Sequence, residues 1–522
     1  MRDFRAGGRE FFATSRPGPK TAPGKDAARA RILELRAAGH SIDEIAAALA
    51  AEGTPLNRTG IAEVIAAEGL PRLWRRPDAE RGGVAREIQP RAEALDFASL
   101  PERAETRLAG LLLVIPDLIA LGLPDMVAAA GYPSTPTIPA LSYLLSLLAL
   151  KLTTTRRVSH VYDIAADPGA ALFAALTALP KATALTTYSY RLQHPAQAAF
   201  LTALDKAALA AGLAAGEALN LDFHAVRHWG EDAALEKHYV PSRSQRTSSV
   251  LTFFAEDAST HTLLYANADL SKASCNHEVI AFANHWKAVT GHDPALLIFD
   301  SKLTTQAQLA ELDDRHITFI TLRARHPGVT AQLAALPAAA WKPMTLARAG
   351  SRTRRVRVHD NPATTLSAYP RPIRQLAVAG LGHDQPTLLI TNSDALPARQ
   401  VIEAYARRMN IEQRLAEAIR SFSLDALAGA VPLNVDLDVV LSVLAHTACA
   451  ALRRRLPGYH TATPDTLQRR FLSTGGIITT HRDQITIRIS RRTYSPVLRQ
   501  ASLPETITVP WWGGRTLRYQ YD

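Results

Sequence analysis

The sequence predicts an α/β fold: a mixed sheet with helical crossovers, preceded by all-α segments and interrupted by a β-rich insertion. Three observations predict it. ALNLDFHAV (218–226) alternates with period two, putting Leu219, Leu221 and Phe223 on one face and Asn220, Asp222 and His224 on the other. The order over 217–325 is strand, strand, strand, helix, strand, helix, strand. The stretch 104–216 before it reads almost wholly as helix, with Leu and Ala runs broken at Pro116, Pro124, Pro133 and Pro168.

At 522 residues the chain exceeds one hydrophobic core. Lys and Arg number 59 against 48 Asp and Glu, a net charge of +11 that suits a polyanionic partner, nucleic acid before an acidic membrane surface. Two cysteines, Cys275 and Cys449, lie far apart without metal-ligand spacing, which suggests a reduced cytosolic protein and excludes a disulfide framework. The apolar stretches near 108–116 and 140–150 fall short of the roughly 20 residues of a membrane helix, and MRDFRAGGREFF has no signal-peptide core. The expected setting is therefore the cytoplasm, with no membrane partner.

Residues 1–25 carry six basic and two acidic residues among Gly and Pro and read as a flexible basic arm. Over 26–76 three short helices are expected. The first bears Ile32, Leu33 and Leu35 and ends at Gly39. The second is opened by the capping-box pair Ser41 and Glu44, and the third starts near Arg58 and bears Ile61, Val64 and Ile65. Three such helices suggest a helix-turn-helix offering Asn57, Arg58 and Thr59 to a major groove; a small bundle for protein contacts fits the same pattern. A charged, Gly- and Pro-containing linker follows over 77–103, then the helical domain 104–216.

The core begins at 217 and its first part runs to 325. SVLTFFAE (249–256) and HTLLYANADL (261–270) form a hairpin around Asp257–Thr260. Asn276 is expected to cap a helix closed by Gly291, and ALLIF (295–299) is a strand ending in Asp300. Over 326–394 strands MTLAR, RRVRVHD, RQLAVAG and TLLITN form the basic insertion. From Leu322 to Ala377 ten Lys or Arg face one acid, Asp360, which points to a phosphate backbone. The core's second part, 395–455, holds a helix on which Tyr405, Arg408 and Glu412 share a face. The tail 456–522 reads as a basic β-rich segment.

LNLDFHAV, LLIFDSK, FITLRAR, LLITN and YARRMNIE together make the chain similar to the bacterial insertion-sequence transposases of the DDE type, whose ribonuclease H-like core carries a β-strand insertion. The resemblance implies a catalytic and metal-binding triad of Asp222, Asp300 and Glu412. It also implies neighbouring first and fourth strands in parallel, and Tyr405 and Arg408 on phosphates. The family signature is Tyr, two residues, Arg, three residues, Glu, six residues, Lys. Its fourth place falls on Ile419, with Arg420 one step later.

The chemistry accounts for these residue types independently. Two divalent ions about 3.5–4 Å apart activate the attacking oxygen and stabilise the leaving one, and Mg²⁺, or Mn²⁺ in its place, needs only oxygen ligands. Three acids converging without metal would raise carboxylate pKa values. Arg323 and Arg325 would contact the DNA backbone. The implied activity is metal-dependent cleavage of transposon ends and their transfer into target DNA, in a homodimeric synaptic complex with double-stranded DNA. A catalytically silent DNA-binding relative and a ribonuclease H-like nuclease without strand transfer remain open alternatives. His224 and His228 lack a third ligand at a recognisable spacing. No GxxxxGK[ST] loop or GxSxG elbow occurs.

Overall fold

The structure, a computed structural model, describes residues 23–71, 73, 90–153, 155, 157–227, 235–240, 245–347, 353–382, 384–424 and 432–521. The chain divides into two compact units, Met1–Ile88 and Gln89–Asp522. Most of the expected basic arm, much of the linker and His228 lie outside the described residues.

Among its described residues the first unit holds three helices: α1 (Pro23–Ala37), α2 (Ile42–Ala51) and α3 (Arg58–Ala67). Their starts follow from the side chains that precede them. Ser41 accepts from the Glu44 amide while the Glu44 carboxylate accepts from Ser41 N, a complete capping box, and Asn57 accepts from Gly60 N at 2.7 Å. Ile32, Leu35, Ile45, Leu49, Ile61 and Val64 close a small core between them. Replacing Ser41 by Ala is expected to cost about 1 kcal/mol locally. Hydrogen exchange at the first amides of α2, measured in the full chain, should accelerate roughly fivefold, with α3 unchanged.

In the second unit the first strand is β1 (Arg103–Thr106), and helices α4 (Ala140–Leu152) and α5 (His194–Ala210) follow. Nine strand segments of the central sheet and its hairpin partner come next in sequence: β2 (Leu219–Arg227), β3 (Lys237–Val240), β4 (Gln245–Asp257) and β5 (Leu263–Asn267), then, after helix α6 (Glu278–Thr290), β6 (Leu296–Phe299). Helix α7 (Gln306–Asp314) leads to β7 (Thr318–Leu322) and α8 (Pro327–Ala334) to β8 (Lys342–Ala347), β9 (Thr353–Leu366), β10 (Tyr369–Ala379) and β11 (Thr387–Thr391). Two long helices, α9 (Ala398–Phe422) and α10 (Pro432–Arg455), precede β12 (Gly476–His481), β13 (Gln484–Ile489), β14 (Thr506–Thr508) and β15 (Thr516–Tyr521).

The molecule is thus mixed α/β. The large sheet runs β3-β4-β2-β6-β7-β11-β10-β9-β8, with β5 also on β4. β2 pairs with β6, and β6 with β7, in parallel, while β4 is antiparallel to both β2 and β5. The expected adjacency of the Asp222 and Asp300 strands is therefore present. The expected insertion is continuous with the core sheet: β11 pairs antiparallel with β7 through Leu389↔Leu322, and the remaining strands extend the same sheet. Its alternation explains this, since Val356, Val358, Leu376 and Val378 join Ile298 and Ile320 in one core beneath α9.

Other expectations are corrected. Arg103–Thr106, at the boundary of the linker and the helical stretch, is a strand paired with β12 across some 370 positions of sequence, Thr106 facing Gly476. Only a backbone without a side chain fits there, because a Cβ on Gly476 would come within 2.2 Å of Arg488 O. The cap of α6 is His277, not Asn276, because a short turn at Cys275–His277 precedes the helix. In the β-rich tail, the stretch 505–512 is strand only over β14. Pro510 starts a 3-10 turn, in which Trp512 is buried with its indole N–H on Leu172 O at 2.9 Å.

That contact, with Tyr519 OH donating to Leu112 O, seats the β1-β12-β13-β15-β14 sheet on the helical segment. Within α10, Val435–Arg455 is long and apolar enough to cross a bilayer, but 94% of its most apolar window is buried within the protein, as in a core helix.

Candidate active site

Asn220 on β2 is paired with Ile298 on β6, and two residues further along each parallel strand stand Asp222 and Asp300. Period two therefore carries both acids to the same face, where Ile298 belongs to the core that α9 covers. Helix α9 places Tyr405, Arg408 and Glu412 against this face, with Arg408 Nε donating to Leu221 O at 3.3 Å. A cleft of about 500 Å³ is lined by Asp300, Lys302, Arg323, Arg325, Tyr405, Arg408 and Glu412 together with neighbouring backbone.

Asp222 does not itself line the cleft; it is paired with Arg408, which does. Burial pushes its carboxyl up to about 6, with Glu412 and Asp300 adding to the rise, while Arg408 and the Phe223 amide oppose it. Two acids distant in sequence thus act on the carboxylate of a third. Asp222 Oδ1 accepts from Arg408 Nη2 at 2.9 Å and from Phe223 N at 3.0 Å. Asp300 caps the 3-10 turn Ser301–Leu303, its Oδ1 accepting from Ser301 Oγ and Lys302 N at 3.1 and 3.2 Å. Glu412 is exposed at the mouth. Tyr405 is buried, and its hydroxyl is pushed up to about 12 by burial and by Asp300 and Asp222, against Arg408.

The basic residues divide. Arg408 was expected on phosphate, but its side chain is 3% exposed and committed to Asp222. Arg323 reaches into the insertion, where its guanidinium donates to Thr364 Oγ1 at 3.1 Å, to Gln375 Oε1 and to Thr365 O. Arg325 is exposed on the cleft wall. Arg420 donates to Ala416 O on its own helix and does not line the cleft, and Ile419 packs against the main core. Arg58 and Thr59 are exposed at the start of α3 in the first unit, Arg58 paired with Asp43 at 2.9 Å. Sequence reasoning passed over Lys302; the signal was its place in LLIFDSK, two positions after a candidate acid.

The donors suit a hard divalent cation in kind: three carboxylates, with burial making the charge on Asp222 costly until something neutralises it. Among the described residues, however, no three His, Cys, Asp or Glu side chains are gathered closely enough to hold an ion. The present counter-charge of Asp222 is Arg408, whose guanidinium takes the Oδ1 position that a metal would share.

Compared with known proteins, the chain matches no family model and no curated protein. The functional reading rests on the residues themselves.

Proposed function

We propose that the chain is a DDE-type DNA transposase, acting on double-stranded transposon ends and joining them to target DNA as a homodimer. The observation that supports this reading is the place of Asp222 and Asp300 at matching positions along the parallel strands β2 and β6, against the helix that carries Arg408 and Glu412. The strand order β5-β4-β2-β6-β7, with β2, β6 and β7 parallel, is that of a ribonuclease H-like core and supports the same reading. So does the arrival of Glu412 on the helix that follows the insertion.

Asp222, Asp300 and Glu412 would hold Mg²⁺, or Mn²⁺, as a pair of ions that activate an attacking oxygen and neutralise the leaving one. The chain's own residues do the rest. Asp222 is oriented by Phe223 N and Asp300 by the turn it caps, and Arg408, which now neutralises Asp222, would share that carboxylate with a bound cation. The three-helix unit, with Arg58 and Thr59 exposed, supplies a second DNA contact in the manner of a helix-turn-helix.

The test is nicking of the DNA that borders the gene, by the full chain with Mg²⁺ and with EDTA, followed by recovery of labelled ends in a target plasmid. Cleavage with Mg²⁺ and covalent joining are expected. Cleavage without joining would leave a nuclease, and binding without cleavage a silent DNA-binding protein.

A further inference from the structure

The cleft wall contains four cations, and two of them are spent inside the protein. Arg408 is buried on Asp222 and Leu221 O. Arg323 is bound to Thr364, Thr365 and Gln375. Lys302 and Arg325 are exposed, and among the described residues neither side chain has a hydrogen bond or ion pair. Arg325 already belongs to the expected DNA contacts, but Lys302 has no role.

Its position is more defined than that of an ordinary surface lysine. Lys302 is the middle residue of the turn Ser301–Leu303, and its amide is the donor that Asp300 Oδ1 accepts. The next residue, Leu303, is 1% exposed and pins the turn into the core. One three-residue piece, fixed at both ends, therefore carries the ammonium beside a candidate metal-binding carboxylate. A compact point charge on a flexible stem follows a phosphate as it shifts during reaction, without demanding the planar geometry of a guanidinium.

We propose that Lys302 is a substrate-contacting residue, its ammonium donating to a non-bridging oxygen of the phosphate adjacent to the scissile one in the DNA strand held by the cleft. This rests on the reading of the cleft as a DNA-cleaving site. The contact keeps the strand in register with Asp300 and offsets charge that grows when the phosphodiester is attacked.

The experiment compares full-length wild type, Lys302→Met and Lys302→Arg on the same duplex, by single-turnover nicking at saturating DNA and by binding across a salt series. Lys302→Met should nick ten- to a hundredfold more slowly. Its slope of log affinity against log salt should shrink by about one, the value for one lost phosphate contact. Lys302→Arg should recover the slope and most of the rate, and all three should melt together because the side chain is exposed. A Met variant with wild-type rate and slope overturns the assignment of Lys302 alone. Wild type that neither binds nor nicks overturns it together with the reading of the cleft.

Discussion

Asp222→Asn should abolish Mg²⁺-dependent nicking, with a loss on the order of a thousandfold or more, while leaving the melting temperature within a few degrees of wild type. The loss corresponds to about 4 kcal/mol of transition-state stabilisation, the scale of removing one carboxylate from a metal site. The near-constant stability comes from two opposing effects. A carboxyl raised from its usual 3.8 to about 6 in the folded chain favours folding below about pH 4, and that contribution is lost as the pH rises through 6. At neutral pH the charged Asp222 therefore costs roughly 3 kcal/mol. Asn removes this cost but leaves Arg408, 3% exposed, without its carboxylate, a penalty on the order of 3–5 kcal/mol.

Added Mg²⁺ or Mn²⁺ should raise the melting temperature of wild type, because a ligand that binds only the folded state stabilises it. It should not do so in the variant. Equal shifts in both proteins would place the cation elsewhere.

Lys151→Met should destabilise the second unit by about 3–5 kcal/mol, visible as a clear drop in melting temperature. Lys151 on α4 is buried, with Nζ at 2.6 Å from Asp438 on α10 and donating to Phe422 O, the last residue of α9, at 2.7 Å. Gln468 completes the knot by donating to Lys151 O and Ser421 O at 2.8 and 3.0 Å. Burial pulls the lysine pKa down and pushes the aspartate up, and each partner offsets that shift in the other. Removing the lysine strands a carboxylate in the core; a Lys151→Met, Asp438→Leu pair should recover most of the loss. The double variant should still nick more slowly than wild type, because the end of α9 no longer has its donor and Glu412 rides on that helix. Full recovery of rate would show that α9 needs no such anchor.

What could be read from the sequence was what repeats locally. LNLDF and ALLIF declared their strands by alternation and apolar run, and the capping box at Ser41 and Glu44 marked a helix start within a residue. Asp222 was legible because Asp in an apolar strand conflicts with strand preference, whereas Asp300, at a strand end, and Glu412, on a helix, stood out only together with the family resemblance. What stayed hidden depended on partners far along the chain. RAET at 103–106 is only four residues long and poor in strand formers, and it becomes a strand where β12 offers an edge. Arg408 read as a surface-type phosphate ligand, and only the packing of α9 over β2 turned it into the counter-charge of Asp222. The insertion read as an interruption of the core because charge dominated its composition, whereas its alternate apolar residues continue that core under α9.

That continuity has a mechanical consequence. Because β11 is stitched to β7 by backbone hydrogen bonds, and β7 to β6, a load applied to the outer strands passes along a stiff plank to the strand that ends at Asp300. A double helix gripped by the far edge would thus pull on the proposed acid site through the sheet itself.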